Sequence, residues 1–180
     1  MTRPAWLPGD RRPNTARMVR VDQAGEYGAA RIYAGQLAAM GGRHPHAHLI
    51  AHMAGQEKRH LDTFNRLIAE RRVRPTLLGP IWTVAGFALG AVTALAGPRA
   101  AMAATAAVEA EIDAHYGAQL DALAGRDTEL AAHVADFQGD EVEHRRTALA
   151  NEAEQLPGYA LFETVVRAGC RIAIAVSERL

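Results

Sequence analysis

A single cysteine, Cys170, stands in 180 residues, which excludes a disulfide framework and any thiolate-built metal cage. Net charge is lacking as well: 20 Lys and Arg balance 20 Asp and Glu, so no global field selects nucleic acid or an acidic partner. No stretch alternates polar and apolar residues between hairpin turns, which argues against strand pairs. The first 13 residues carry Arg and Pro without an apolar stretch; they are unlike a secretory signal and are expected to form a flexible or loosely docked arm, residues 1–13. Between Leu77 and Pro98 charge of either sign is missing.

What is present is helical punctuation. A first helix is expected from Asn14 or Thr15 to the Gly41-Gly42 stop, and a second from His46 to about Arg72, broken by Arg74-Pro75. The uncharged third ends at Gly97-Pro98, and an alanine-rich fourth runs from Arg99 to Ala124 before Gly125. Asp127 is a suitable N-cap for a fifth helix reaching about Glu154, and a short sixth spans Tyr159 to Ser177. The chain is long enough for one core without staples, so residues 14–180 are expected to form a single all-α domain.

Two Glu-x-x-His words stand far apart: Glu57-Lys58-Arg59-His60 and Glu141-Val142-Glu143-His144. Each has a lone glutamate upstream at matching distance, Glu26 lying 31 residues before Glu57 and Glu109 lying 32 before Glu141. One such word arises easily by chance, but the doubled pattern with matched spacing has odds below about one in a hundred. Positions i and i+3 share a helix face, so each word aims a carboxylate and an imidazole the same way. Two lone glutamates and two such words, one from each of four helices, are the ligand set of a two-metal carboxylate centre in a ferritin-like four-helix bundle, with the uncharged helix as its long apolar crossover. Four carboxylates and two imidazoles suit iron or manganese rather than copper(I), and two divalent cations would balance four buried negative charges.

This arrangement bears on the uncharged run. At about 20 residues it could span a bilayer, but a simple traverse would put the two ligand-bearing halves on opposite sides. Either it is a buried connecting helix or it presents an apolar surface to one leaflet. Ile32, Leu61 and Leu149, at helical spacing from ligands, are expected in the core. Asp22 and Asp140 are candidates to accept from the ligand histidines. Lys58, Arg59, Arg145 and Arg146 are expected to face outward. Glu111 with His115, and Glu129 with His133, are i,i+4 pairs without partners and read as exposed or outer groups. His115 and Tyr116, close to Glu109, either reach the substrate or its proton path or simply pack at an interface.

RVDQAGEYGAARIYAGQ (20–36), HMAGQEKRHLDTFN (52–65), RVRPT (72–76), AVEAEIDAHY (107–116), DEVEH (140–144) and AGCRIAIAVSERL (168–180) resemble the demethoxyubiquinone hydroxylase family of ubiquinone biosynthesis, over nearly all of the chain from Met18 onward. The resemblance implies that Glu26, Glu57, His60, Glu109, Glu141 and His144 hold two Fe ions per subunit, with Glu57 and Glu141 bridging. It implies oxygen-dependent ring hydroxylation of a polyprenylated methoxy-methyl-benzoquinol, with O2 and an external reductant such as NADH or reduced quinone. It also implies a peripheral protein on the membrane holding its substrate (in a bacterium, the cytoplasmic face of the inner membrane), with a homo-oligomer or a lipid-presenting partner protein compatible with it. Gln23 stands where the family often has His, and Ala110 where a second acid is common; neither removes a ligand.

Two other classes compete. A ferritin- or rubrerythrin-like iron-oxidising or peroxide-reducing protein would use the same centre, but one cysteine cannot build a rubrerythrin-like second iron domain, and the uncharged helix does not suit a polar-coated cage. A non-catalytic membrane adaptor would tolerate loss of Glu26 or His144.

Overall fold

The structure, a computed structural model, describes residues 14–42 and 44–179. The expected arm at residues 1–13 lies outside the described residues. Among these residues the chain forms helices α1 (Thr15–Met40), α2 (Ala47–Glu70), α3 (Gly79–Leu95), α4 (Pro98–Leu123), α5 (Thr128–Ala150) and α6 (Tyr159–Ser177), with no strand.

The breakers act where they stand. Asn14 accepts the Arg17 amide at 2.9 Å and Asp127 accepts that of Leu130 at 3.1 Å, capping α1 and α5. Gly41, Gly97 and Gly125 adopt positive φ at the ends of α1, α3 and α4. The fifth helix stops at Ala150 rather than Glu154. There the Asn151 side chain takes the Thr147 carbonyl at 2.8 Å, Glu152 turns into the left-handed region (φ 67°), and a short 3-10 turn, Ala153–Gln155, buries Ala153 against the alanine-rich start of α4.

α1 and α2 form one antiparallel hairpin and α4 and α5 the other. α4 runs opposite to α1, since Gln36 meets Ala101 and Thr105, Tyr33 meets Glu109, and Tyr116 meets Glu26. The crossover α3 carries the chain back along α1 in the same direction, Gly28 facing Gly86 and Ile32 facing Gly90. This is the ferritin-like arrangement of two hairpins joined by a long crossover, with α6 laid against α4. α3 and α1 touch backbone to backbone: a Cβ on Gly90 would overlap the Ile32 carbonyl, and one on Gly35 that of Phe87.

Two apolar plugs fill the bundle. Toward one end lie Val19, Phe64, Leu67, Leu123, Leu130, Val134 and Phe137; toward the other, Ile50, Met53, Met102, Ala103, Ala106, Ala148 and Ala153. Ile32 is buried and Leu149 packs against the second plug, but Leu61 is only half-buried and belongs to neither, because it lies on the flank of α2.

The reading of α3 as a buried connector does not hold. Only Gly86, Gly90 and Thr93 are buried, whereas Leu77, Val84 and Leu95 are 66%, 70% and 76% exposed. Its glycine stripe seats it on α1 and leaves the larger side chains outside; Leu161, Val165 and Ile172 of α6 are exposed as well. No helix among the described residues is long and apolar enough to cross a membrane.

Candidate metal centre

Between the two plugs, α1 supplies Glu26, α2 Glu57 and His60, α4 Glu109, and α5 Glu141 and His144, each at most 1% exposed. They fall into two overlapping sets, Glu26, Glu57, His60 and Glu141, and Glu57, Glu109, Glu141 and His144. Within each set one ligand atom per residue lies within 4.8 Å of the others, and Glu57 and Glu141 belong to both. His60 Nδ1 is 3.1 Å from Glu141 and 3.4 Å from Glu26; His144 Nδ1 is 3.3 Å from both Glu57 and Glu141.

The donor set fits a pair of cations. Glu26 Oε2, both oxygens of Glu57 and of Glu141, Glu109 Oε2 and the Nδ1 atoms of both histidines are buried without a hydrogen-bond partner. Native interiors rarely leave such atoms unpaired, and here they all converge on one place. By themselves the four carboxylates cannot all be charged. Burial, and then repulsion from neighbouring carboxylates, pushes Glu57 and Glu109 well above the usual range. Burial also opposes the charge on Glu141, yet contacts with His144, His60 and Glu109 hold it at about 2. Burial would lower His60, but Glu141 and Glu26 raise it to about 10.

The other nitrogens of the histidines are held from behind. His60 Nε2 meets Asp140 Oδ2 at 2.9 Å and His144 Nε2 meets Gln56 Oε1 at 3.1 Å, while Gln56 Nε2 donates to Asp140 Oδ1 at 2.9 Å. One continuous chain of hydrogen bonds therefore joins both imidazoles. Arg59 faces outward as expected but also closes this chain, donating to Asp140 at 2.5 Å and to Asp136 at 2.6 Å. Lys58 and Arg146 are exposed, and Arg145 is half-buried. Tyr33 donates to Glu109 Oε1 at 2.6 Å, and Tyr116 donates to Glu26 Oε1.

These contacts obey an approximate two-fold. Tyr33 and Tyr116 each lie seven residues after a lone glutamate and each bonds the other half's glutamate. Gln56 and Asp140 each precede the glutamate of a Glu-x-x-His word and each meets the other half's histidine. Ten residues after each lone glutamate stand Gln36 and Gln119, which donate to Thr105 and Asp22, four residues before the opposite glutamate, at 3.3 and 2.6 Å. Tyr33 and Gln56 escaped the sequence reading, although extending the repeat by seven residues and by one residue reaches them.

Asp140 occupies the expected place, whereas Asp22 does not meet a ligand histidine. It is buried under α4, where it accepts from Gln119 and meets His115 Nε2 at 3.2 Å; burial, more than any other cause, raises it to about 6. His115 is partly exposed, so the structure brings Tyr116, but not His115, onto a carboxylate of the cluster. Glu111 is not exposed: it is buried between Arg167 and Arg171 of α6, each at 3.0 Å. Glu129 is exposed and joins Arg71, and His133 meets Arg66. Gln23 donates to Asn65 Oδ1 at 3.0 Å, an exposed contact between α1 and α2.

An apolar cavity of about 450 Å³ lies between α1, α3, α4 and α6. Gly25 and Gly28 of α1, Val108 and Ile112 of α4, Trp82 of α3 and Cys170 of α6 are in its wall. The wall thus uses the same helical turns that carry Glu26 and Glu109. Burial, reinforced by Glu109 and Glu111, pushes the Cys170 thiol up to about 11.

The sequence pattern described as "Ubiquinone biosynthesis protein COQ7" matches residues 13–177. The chain belongs to this family. A 3-demethoxyubiquinol 3-hydroxylase of Rhodospirillum rubrum is 51% identical over 176 residues, covering 97% of this chain and 83% of that protein. The NADPH-dependent 3-demethoxyubiquinone 3-hydroxylase, mitochondrial, of Homo sapiens is 49% identical over 168 residues, 91% of this chain and 77% of its own length. The 5-demethoxyubiquinone hydroxylase, mitochondrial, of Saccharomyces cerevisiae is 41% identical over 180 residues, 91% and 77% of the two chains.

Proposed function

We propose that this COQ7-family chain is a ring hydroxylase of ubiquinone biosynthesis that uses two iron ions, held by Glu26, Glu57, His60, Glu109, Glu141 and His144, to hydroxylate a polyprenylated demethoxybenzoquinol. The observation that carries the reading is the apolar cavity sharing its walls with the turns that bear Glu26 and Glu109. A quinol ring entering there approaches the turns of Glu26 and Glu109 from the α1–α4 side, while the apolar wall favours a prenyl tail. The bound metal pair would supply the electrons that activate dioxygen. The reaction balances as a ring C–H plus O2, two electrons and two protons giving C–OH and water, so an external reductant such as NADH is required.

The protein's own groups bind and orient. Tyr33 and Tyr116 each occupy one oxygen of Glu109 and Glu26, leaving the other oxygen for an ion. Asp140 and Gln56 fix the ring orientation of the two histidines. We assign to His115, which pairs with Asp22 and is partly exposed, the passage of protons from solvent toward Tyr116. A single domain, residues 14–180, carries the reaction. The outward side chains of α3 and α6 rest on the membrane that holds the substrate, in a bacterium the cytoplasmic face of the inner membrane. An iron-storage role has no use for the apolar cavity.

Quinone profiling by mass spectrometry tests the assignment: cells lacking the protein accumulate the demethoxy intermediate. Purified protein that consumes oxygen with a reductant yet leaves the demethoxyquinol unmodified would show the reaction to be wrongly assigned.

A further inference from the structure

The two-fold relating the halves of the centre is broken behind the histidines. Both bridging glutamates are shared, and the tyrosine bonds to Glu26 and Glu109 mirror each other, so these contacts treat the two ion positions alike. The group that meets His60 Nε2 is the Asp140 carboxylate, whereas the group that meets His144 Nε2 is the Gln56 amide oxygen. A second break lies beside the lone glutamates: the buried Asp22 stands one turn before Glu26, and the neutral Thr105 one turn before Glu109.

We infer, resting on the paired-ion reading above, that the two ions are held unequally: the ion at Glu26, Glu57, His60 and Glu141 is the tighter one, with Asp140 and Gln56 the positioning residues that set the difference. An imidazole whose N–H donates to a carboxylate is a stronger metal donor than one whose N–H donates to an amide, and partners of this kind typically change affinity by about 10- to 100-fold. Asp22 adds negative potential on the same side. Arg59 and the Gln56 amide also donate to Asp140 and draw on its charge, which moderates the effect; Arg59 is half exposed, so water screens its share. The difference expected is therefore about tenfold, at the lower end of that range.

The test starts from protein loaded with two Co(II) per chain and dialysed against graded EDTA, with cobalt counted by elemental analysis, the visible spectrum recorded and helical content checked by circular dichroism. Wild-type protein passes through a stage holding one Co(II) per chain across about a tenfold span of free metal. His144→Ala keeps the resistant ion and His60→Ala keeps only the readily removed one. Asp140→Asn narrows the interval between the two losses, whereas Gln56→Leu widens it; a purely structural role would move both variants the same way. Loss of both ions together in wild type, or a resistant ion that survives in His60→Ala but not in His144→Ala, overturns the inference. Wild-type protein that never takes up two ions overturns the paired-ion reading and this inference with it.

Discussion

Tyr33, buried, donates its hydroxyl to Glu109 Oε1 at 2.6 Å, with the Met53 sulfur as a longer contact at 3.8 Å. Tyr33→Phe keeps the ring that packs edge-on to His144, at 6.2 Å between centroids, but strands a carboxylate oxygen. A buried acceptor left without its donor costs about 1–3 kcal/mol, so the urea midpoint of the metal-loaded variant should fall accordingly. An unchanged midpoint would mean that the hydroxyl contributes nothing. Cys170 gives a reading of the cavity wall. With its thiol pushed up to about 11 and an ordinary thiol near 8.5, iodoacetamide at pH 8 should label it on the order of 100-fold more slowly than a free thiol, and faster as pH rises toward 11. A quinol analogue seated in the cavity should slow it further, and labelling at the rate of free cysteine would contradict the burial. The ligands were legible as residues because i,i+3 spacing fixes their common face. Tyr33 and Gln56 were not, since an aromatic or an amide at those positions serves a helix equally well as packing or as surface.

At the scale of the helix, α3 and α5 carry glycines with opposite consequences. Gly139 of α5 is exposed, and a Cβ there meets nothing within 4 Å, so Gly139→Ala should stabilise by up to about 1 kcal/mol through helix propensity. Gly90 of α3 lies against the Ile32 carbonyl, where an added methyl can be accommodated only by moving backbone. Gly90→Ala should therefore cost several times that amount, about 3 kcal/mol or more, and expose the α2–α3 link to protease. Thermal melting of the two variants side by side checks both signs, and a Gly90→Ala protein as stable as wild type would show that the helices are not so close. The helix boundaries were legible wherever Gly, Pro or an Asp or Asn cap marks them. The end of α5 was not, because no Gly or Pro follows Ala150 before Pro157, and it is the burial of Ala153 that accompanies the turn. The glycines of α3 were equally visible, but their spacing expresses a contact with α1 that hydropathy does not encode.

For the whole molecule, the deciding quantity is four carboxylates enclosed between two apolar plugs. In metal-free protein Glu57 and Glu109 hold their protons well above the usual carboxylate range. Below about pH 4.5 they are protonated in both folded and unfolded chains and cost nothing; as pH rises past that value the unfolded chain ionises first, and folding becomes progressively less favourable. His60, raised to about 10, stabilises fully below about pH 6.5 and loses that contribution above it, which adds to the same slope. Glu141, held at about 2, contributes its stability above pH 4.5 and changes little in this window. The metal-free protein should thus lose stability as pH rises from 5 to 7.5. With two cations bound the sign reverses, because the ions need deprotonated carboxylates and imidazoles, and acid displaces them. The difference in melting temperature between loaded and metal-free protein should therefore widen steadily across that range. Scanning calorimetry on both forms at matched ionic strength measures it. Two parallel curves would mean that the cluster is not where the cations bind, whatever its geometry invites.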